Sequence, residues 1–435
     1  MRSPVQRRPA HTYWTSGLAQ RKVAPSVYRE VAIVFVAAGP TRGPLSGLSY
    51  RAVKVARGVL RGGSGGNATS LPDRPYGEIM VKKLKVGLAG LVAVLVLYML
   101  FWPVPVKPVA FTPPESPPLT GIYAPNDQLQ AVETVVQYPR LRPEEVAFDN
   151  QGHVYASTED GHILRFKLDD SAPTLFANTE GRPNGMAFDK AGNLIVADAK
   201  KGLLSIASNG SVTFLATEAN GRRIALANDL AIATDGTIYF TDSQLNDDNG
   251  RQDLLDGRPL GRLLAYEPKT GTTRLVLDDL YYANGITLAP DESFVLVTES
   301  WAYRVTRYWL AGSKQGQTDH FVENLPGLPD NITFNGRDTY WLALYQLRNP
   351  VIETLQARPF LRKVVMRLPS FLTASDASSP SCGFVLGLDP NGKVIHNLQD
   401  PSGESASKVS SITEHEGYLY LGTFGNEIIH RIPVP

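Results

Sequence analysis

Six short stretches of this chain repeat one pattern, and that repeat constrains the fold more than any other feature. Five of them open at Glu145-Val-Ala-Phe-Asp, Gly185-Met-Ala-Phe-Asp, Asp229-Leu-Ala-Ile-Ala, Gly285-Ile-Thr-Leu-Ala and Asn331-Ile-Thr-Phe-Asn, and the sixth is Ser411-Ile-Thr-Glu-His near the chain end. Each reads as a short strand, a tight Asp/Asn/Gly turn and a second strand rich in β-branched and aromatic residues, which is a hairpin. Several copies continue into a third strand, such as His162–Phe166 or Arg304–Tyr308, and a fourth follows at Thr273–Leu277. Four strands per unit, repeated six times, predict an all-β six-bladed β-propeller over residues 125–435. The longest interval separates the fifth and sixth copies. There, Val351 to Leu372 mixes apolar and basic residues and reads as an amphipathic helix or as a cap that meets a membrane or covers a site.

The residue two places before the first apolar residue of each first strand forms a column: Glu144, Asn184, Asn228, Asn284, Asp330 and Ser410. Innermost propeller strands start at one end of the central channel, so this column converges on the axis. All six side chains carry oxygen. Asn184-Gly185 and Asn284-Gly285 also read as ordinary turn pairs, but Glu144, Asn228 and Asp330 in the same column do not. Two carboxylates in one low-dielectric channel repel, and a cation relieves that repulsion. Hard oxygen donors in this number suit Ca²⁺, with Mg²⁺ and Mn²⁺ as alternatives.

Composition removes other chemistries. The 43 basic and 42 acidic residues leave a net charge of +1, which gives no reason to expect a nucleic-acid partner. The single cysteine, Cys382, forms no intrachain disulfide and no thiolate metal site, and reads as a small buried or edge residue. His153, His162, His415 and His430 fall on turns or outer strands and read as surface or packing residues.

The N-terminal region is organised differently. Residues 1–79 are rich in Arg, Gly, Ser and Pro without sustained periodicity, and read as a disordered or misassigned extension ahead of Met80. Within 80–102, the run Val86–Trp102 is apolar throughout and follows Lys82, Lys83 and Lys85. This predicts an uncleaved signal-anchor with a cytoplasmic N-terminus and an exported propeller on the periplasmic, lumenal or extracellular side. A cleaved signal peptide is the competing reading, disfavoured by the run's length and the lack of an Ala-x-Ala site. Residues 103–124 form a Pro-rich linker. Its seven prolines between Pro103 and Pro118 suggest a stiff spacer lifting the propeller off the bilayer.

The motifs Arg142-Pro-Glu-Glu, Gly181-Arg-Pro-Asn-Gly, Asn228-Asp-Leu, Tyr239-Phe-Thr-Asp-Ser, Ala283-Asn-Gly, Phe321-Val-Glu-Asn-Leu-Pro-Gly-Leu-Pro-Asp-Asn and Gly417-Tyr-Leu-Tyr-Leu-Gly together resemble the superfamily of strictosidine synthase-like proteins, paraoxonases, gluconolactonases and diisopropyl fluorophosphatase. Within it, the chain looks most like strictosidine synthase-like proteins of the adipocyte plasma membrane-associated type. The resemblance covers roughly residues 115–435 and the anchor. It implies a catalytic Ca²⁺ held by Glu144, Asn228, Asn284, Asp330 and Asn331, and places Glu145 and Asp229 where paraoxonases hold a second ion. Two departures matter. Asn184 stands where paraoxonases carry a His, and Ser410 stands where strictosidine synthase carries its catalytic Glu. The resemblance therefore argues against alkaloid synthesis.

These readings converge on a metal-dependent hydrolase of a small lactone or ester. Asp330 or Glu144 would activate water, and Asn184, Asn228 and Asn284 would orient substrate. The alternative is a membrane-anchored, non-catalytic propeller that binds a partner and uses the ion structurally. An open pocket above the ion favours the first; a plugged channel favours the second.

Overall fold

A computed structural model describes residues 76–170, 172–243, 250–369, 381–424 and 426–435. The readings of residues 1–75 and of 370–372 lie outside this set.

Each repeat becomes one four-stranded antiparallel sheet, and six such sheets form the propeller. The innermost strands are Leu141–Phe148, Pro183–Phe188, Ala227–Ile232, Ala283–Leu288, Gly327–Phe334 and Val409–His415. Blades one to five run outward in chain order. In the sixth, the outermost strand is Glu133–Gln137, which pairs with the chain-terminal strand Ile428–Pro433 and so closes the ring. Closure leaves no unpaired edge between first and last blades.

The turns explain the repeat's aspartates. The side chain of Asp149 accepts from the backbone N–H groups of Gln151 and His153 at 2.8 and 2.9 Å. Asp189 does the same in blade two, and Asn335 takes the equivalent place in blade five. Such Asx bonding fixes the reversal between first and second strands, and Gly152 completes it at φ 77°. The second strands, such as Phe294–Glu299 and Tyr340–Leu347, are buried along most of their length and supply the inter-blade core.

The glycines of the two Asn-Gly pairs lie inside innermost strands, not in turns. A Cβ on Gly285 would stand 2.4 Å from the Cα of Asn331, and one on Gly185 2.4 Å from Asp229 Oδ1. Glycine is required here because neighbouring innermost strands approach closely around the axis. Gly285→Ala is expected to cost about 1–3 kcal/mol, because the clash is with backbone that cannot swing aside. A thermal melt of the variant checks this.

Among the described residues there are also four α-helices. α1 (Tyr76–Phe101) contains the apolar run as far as Phe101 and begins upstream of Met80. Its segment Ile79–Phe101 is long and apolar enough to cross a membrane. α2 (Gly250–Asp256) follows the second strand of blade three. α3 (Pro350–Gln356) and α4 (Pro359–Arg367) follow the second strand of blade five, where one amphipathic helix or cap was expected.

The Pro-rich linker does not lift the propeller away as expected. It is a strap laid along the domain. Val106 is buried, the Lys107 N–H donates to Asp256 Oδ1 at 2.8 Å, and the Phe111 N–H donates to the Gln356 carbonyl at 3.0 Å. Further on, the carbonyls of Pro114 and Glu115 accept from Arg348 and Asn324. Proline supplies carbonyls without donors of its own, so an extended proline-rich segment suits a surface offering guanidinium and amide donors.

Candidate functional site

In every blade, the pairing of first and second strands is interrupted at the axial column. The register shifts fall between Leu141 and Val146, Pro183 and Met186, Ala227 and Leu230, Ala283 and Ile286, Pro329 and Ile332, and Val409 and Ser411. A bulge frees a residue from the ladder and re-aims its side chain. The sixfold repeat of this irregularity sets the site.

Glu144, Asn184, Asn228, Asn284 and Asp330 line one pocket of about 270 Å³. Its walls add Arg182, Leu226, Tyr282, Ser300, Leu328, Tyr345 and Phe424, none of which the repeat singled out. Asn331 and Ser410 are buried beside the ring and do not line the pocket. Asn331 Nδ2 donates to the Glu144 carbonyl at 3.1 Å, while the Ser410 hydroxyl donates to the Pro143 carbonyl at 3.3 Å. Among the described residues, no histidine borders the pocket.

The amides are held in one sense. The Ser243 hydroxyl gives its proton to the Ala283 carbonyl at 2.7 Å, so toward Asn228 it can only accept, and it takes Asn228 Nδ2 at 2.9 Å. Ser300 repeats this device one blade on. It donates to the Pro329 carbonyl at 2.6 Å and accepts Asn284 Nδ2 at 3.1 Å. Both nitrogens are thereby committed, and each Oδ1 is left over. Glu144 Oε2 and the Oδ1 atoms of Asn184, Asn228, Asn284 and Asn331 are all buried with no hydrogen-bond partner. Native interiors rarely leave such acceptors unpaired. A set of five orphaned oxygens with no donor to serve them is the chemistry of a hard-cation site. Among the described residues no group of three or more His, Cys, Asp or Glu is placed to hold a metal. The donor set is amide-rich, with two carboxylates at the pocket.

Electrostatics agree. Burial pushes the Glu144 carboxyl up, with the Arg182 guanidinium 4.0 Å away opposing the shift. Asp330 lies well above the usual carboxylate range through burial and the nearby Glu144 charge, despite the hydrogen bond from Asn284 Nδ2 at 2.5 Å. Burial raises Glu145 well above its ordinary value, with Asp229 adding to the shift. Asp229 is pushed up to about 7, chiefly by burial. Both carboxylates behind the ring also stitch blades together. Glu145 Oε2 accepts the Met186 N–H at 2.6 Å, and Asp229 takes the Leu230 and Ile286 N–H groups at 2.7 and 2.8 Å. Both Asp229 oxygens thus already hold backbone donors, which weakens the second-ion reading.

Removing the Ser300 hydroxyl tests the amide orientation. Ser300→Ala leaves Asn284 Nδ2 with Asp330 Oδ1 as its one remaining partner and removes the hydroxyl that donates to the Pro329 carbonyl, so the amide is held less firmly. It is expected to weaken divalent-ion affinity about 10- to 100-fold, the usual penalty for losing an outer-shell partner. Calorimetric titration with Ca²⁺ checks it.

Fold and site together define a six-bladed propeller with an oxygen-lined axial pocket. Family comparison narrows this. Residues 157–353 match the SMP-30/gluconolactonase/LRE-like region, and residues 121–166 match the strictosidine synthase-like N-terminal family. Adipocyte plasma membrane-associated protein of Bos taurus is 36% identical over 361 residues, covering 77% of this chain and 86% of that protein. The protein STRICTOSIDINE SYNTHASE-LIKE 6 of Arabidopsis thaliana is 34% identical over 298 residues, covering 67% and 78% respectively. The chain belongs to the strictosidine synthase-like family that includes the adipocyte plasma membrane-associated proteins. Among solved structures, a gluconolactonase from Xanthomonas campestris aligns with TM-score 0.52 at 16% identity, covering 76% of this chain and 99% of its own. A calcium-binding regucalcin from Agrobacterium tumefaciens aligns with TM-score 0.50 at 14% identity, covering 69% and 93%. At those identities the likeness speaks to the fold alone.

Proposed function

We propose that this protein is a divalent-metal-dependent hydrolase of lactones or esters, anchored in a membrane by α1. The observation that carries the reading is the open pocket directly over the ring of unpaired oxygens. A plugged channel would have served a structural ion equally well. Glu144, Asn228, Asn284, Asp330 and Asn331 would hold the ion, with Ca²⁺ favoured over Mg²⁺ or Mn²⁺ by the neutral amide donors. When bound, it supplies Lewis-acid polarisation of the substrate carbonyl.

The rest falls to the chain's own residues. Glu144 and Asp330 are the two carboxylates at the pocket, so the proton released by the attacking water passes to one of them. Asn184 is fixed at the wall by a long contact from Nδ2 to the Ala227 carbonyl, 3.5 Å, and turns its unpaired Oδ1 toward substrate. Leu226, Leu328, Tyr345 and Phe424 give the pocket an apolar wall that suits an acyl or ring moiety. Lys82, Lys83 and Lys85 before the apolar run of α1 support, by the positive-inside rule, a cytoplasmic N-terminus and an exported propeller.

The test is hydrolysis of a panel of lactones and aryl esters by the full chain in detergent, with Ca²⁺ and after chelation. Turnover that disappears with the ion and returns on adding it supports the reading. A thermal shift with Ca²⁺ but no turnover on any substrate would assign the ion to scaffolding and the propeller to partner binding.

A further inference from the structure

The pocket, the strap, the cap helices and the end of α1 lie at one end of the propeller. The strands that bring Glu144, Asn184, Asn228, Asn284 and Asp330 inward begin at that end, and the second strands return to it. α2 leaves from the second strand of blade three, and α3 and α4 leave from that of blade five, so all three emerge beside the pocket mouth. Contacts join them to its wall. Gln356 Nε2 of α3 donates to the Trp301 carbonyl at 3.1 Å, next to pocket-lining Ser300. Phe111 of the strap packs on Tyr281 at 4.7 Å between ring centroids, next to pocket-lining Tyr282.

The same elements are tied to the apolar helix. Arg367 of α4 donates from Nε to the Trp102 carbonyl at 2.7 Å, and the Tyr98 hydroxyl donates to the Arg367 carbonyl at 3.4 Å. Chain length alone enforces the proximity. Lys107 is bonded to the last residue of α2 and stands five residues beyond Trp102. Five residues reach at most about 18 Å when fully extended. The mouth-side cap therefore cannot stand farther than that from the end of α1.

The exposed chemistry of this face suits a lipid surface. Phe101 and Trp102 are 73% and 60% exposed at the helix end, Val351 of α3 is 65% exposed, and Phe360 of α4 is 55% exposed. The exposed Arg358 and the half-buried Lys363 lie in or beside the same two cap helices. Apolar side chains interleaved with cations are what an interfacial helix presents to a bilayer. Leu175 and Phe214, also exposed, sit on outer strands of blades one and two, away from the cap.

We propose that the pocket-bearing face rests on the bilayer that α1 crosses, with Val351 and Phe360 in the lipid interface, so that amphiphilic molecules enter the pocket from the membrane. The docking stands on the geometry above, and only the entry of substrate rests on the hydrolase reading. The substrate class this selects is a membrane-partitioned ester or lactone with an apolar chain.

The test uses the full chain in phosphatidylcholine vesicles, with and without phosphatidylserine. Cys382 is buried, so an environment-sensitive thiol dye reports on an introduced cysteine. Phe360→Cys and Val351→Cys probe the cap, and Gln151→Cys probes a turn at the opposite end of the blades. Quenching by nitroxide-bearing lipids is expected to be several-fold stronger at the two cap positions than at Gln151. Equal quenching at all three overturns the proposal. So does a cap label shielded from lipid in a dimer, which would assign the face to a second copy. For entry, Phe360→Asp is expected to lower kcat/KM about tenfold for a long-chain ester dissolved in the vesicles while sparing a short water-soluble one. Val351→Asp carries this arm if the first variant fails to fold. Loss on both substrates overturns the entry route. If nothing is hydrolysed at all, the hydrolase reading fails, and the quenching contrast still decides the docking.

Discussion

Asp330→Ala is expected to lower kcat/KM for lactone and aryl-ester hydrolysis on the order of a thousandfold, with the fold intact. The size follows from what the carboxylate does. It is one of the two carboxylates that line the pocket, and losing one preorganised polar group in a buried site commonly costs between about a hundredfold and a thousandfold. Here a ligand and a candidate proton acceptor vanish together. The fold should survive because the Asp330 side chain receives only Asn284 Nδ2, which keeps Ser300 as a second partner. The inter-blade bond at this residue uses its backbone. The Thr298 hydroxyl donates to the Asp330 carbonyl at 2.6 Å, and alanine preserves that. Removing a buried charge that repels Glu144 should even raise the melting temperature of the metal-free protein. Steady-state kinetics beside a thermal melt separate the outcomes. Full activity in a well-folded variant would remove the chemistry from the axis altogether.

The ring was legible in the sequence and the pocket was not. Innermost strands begin at equivalent points, so one column of the repeat maps onto one ring, and its bulged register shift recurs in all six blades. Arg182, Leu226, Tyr282 and Leu328 each stand two residues before a ring member, and Ser300 and Phe424 each directly follow the second strand of their blade, so these wall residues also fall in columns, but the columns share no side-chain chemistry that would single them out. A signal for Arg182 was present in Gly181-Arg-Pro-Asn-Gly. Its backbone N–H is held by Asp198 at 3.0 and 2.9 Å, and its guanidinium lies 4.7 Å from the centre of the Phe424 ring. Nothing local in the sequence announces either partner. The two Asn-Gly pairs mislead for a related reason. Glycine's common use is to permit a positive φ, and here it permits two strands to touch. The proline-rich strap misleads because composition reports stiffness and not what a stiff segment lies against.

The metal-free protein is expected to lose stability as pH rises from about 4 to about 7, and bound Ca²⁺ should reverse that trend. Asp229, Asp330, Glu144 and Glu145 all have carboxyls raised by burial, with Asp229 at about 7. A group whose folded pKa exceeds its unfolded value binds its proton more tightly in the native state. Its contribution is complete below the unfolded pKa, near 4, and is lost as pH climbs through the folded pKa. For Asp229 that window closes near 7; for Asp330 and Glu145, which lie well above the carboxylate range, it extends upward too. The summed loss is on the order of a few kcal/mol, or roughly 5–10 °C in melting temperature for a domain of this size. Metal ligands must be deprotonated to bind, so the stabilisation by Ca²⁺ grows across the same window. Melts at pH 5, 6, 7 and 8, with chelator and with saturating Ca²⁺, should therefore diverge as pH increases. Glu144→Gln, which removes one charge from the ring, should flatten the metal-free curve and shrink the Ca²⁺ shift together. Parallel curves with and without Ca²⁺ would show that the buried carboxylates and the ion are not thermodynamically linked, and the unpaired amide oxygens at the axis would then need a different occupant.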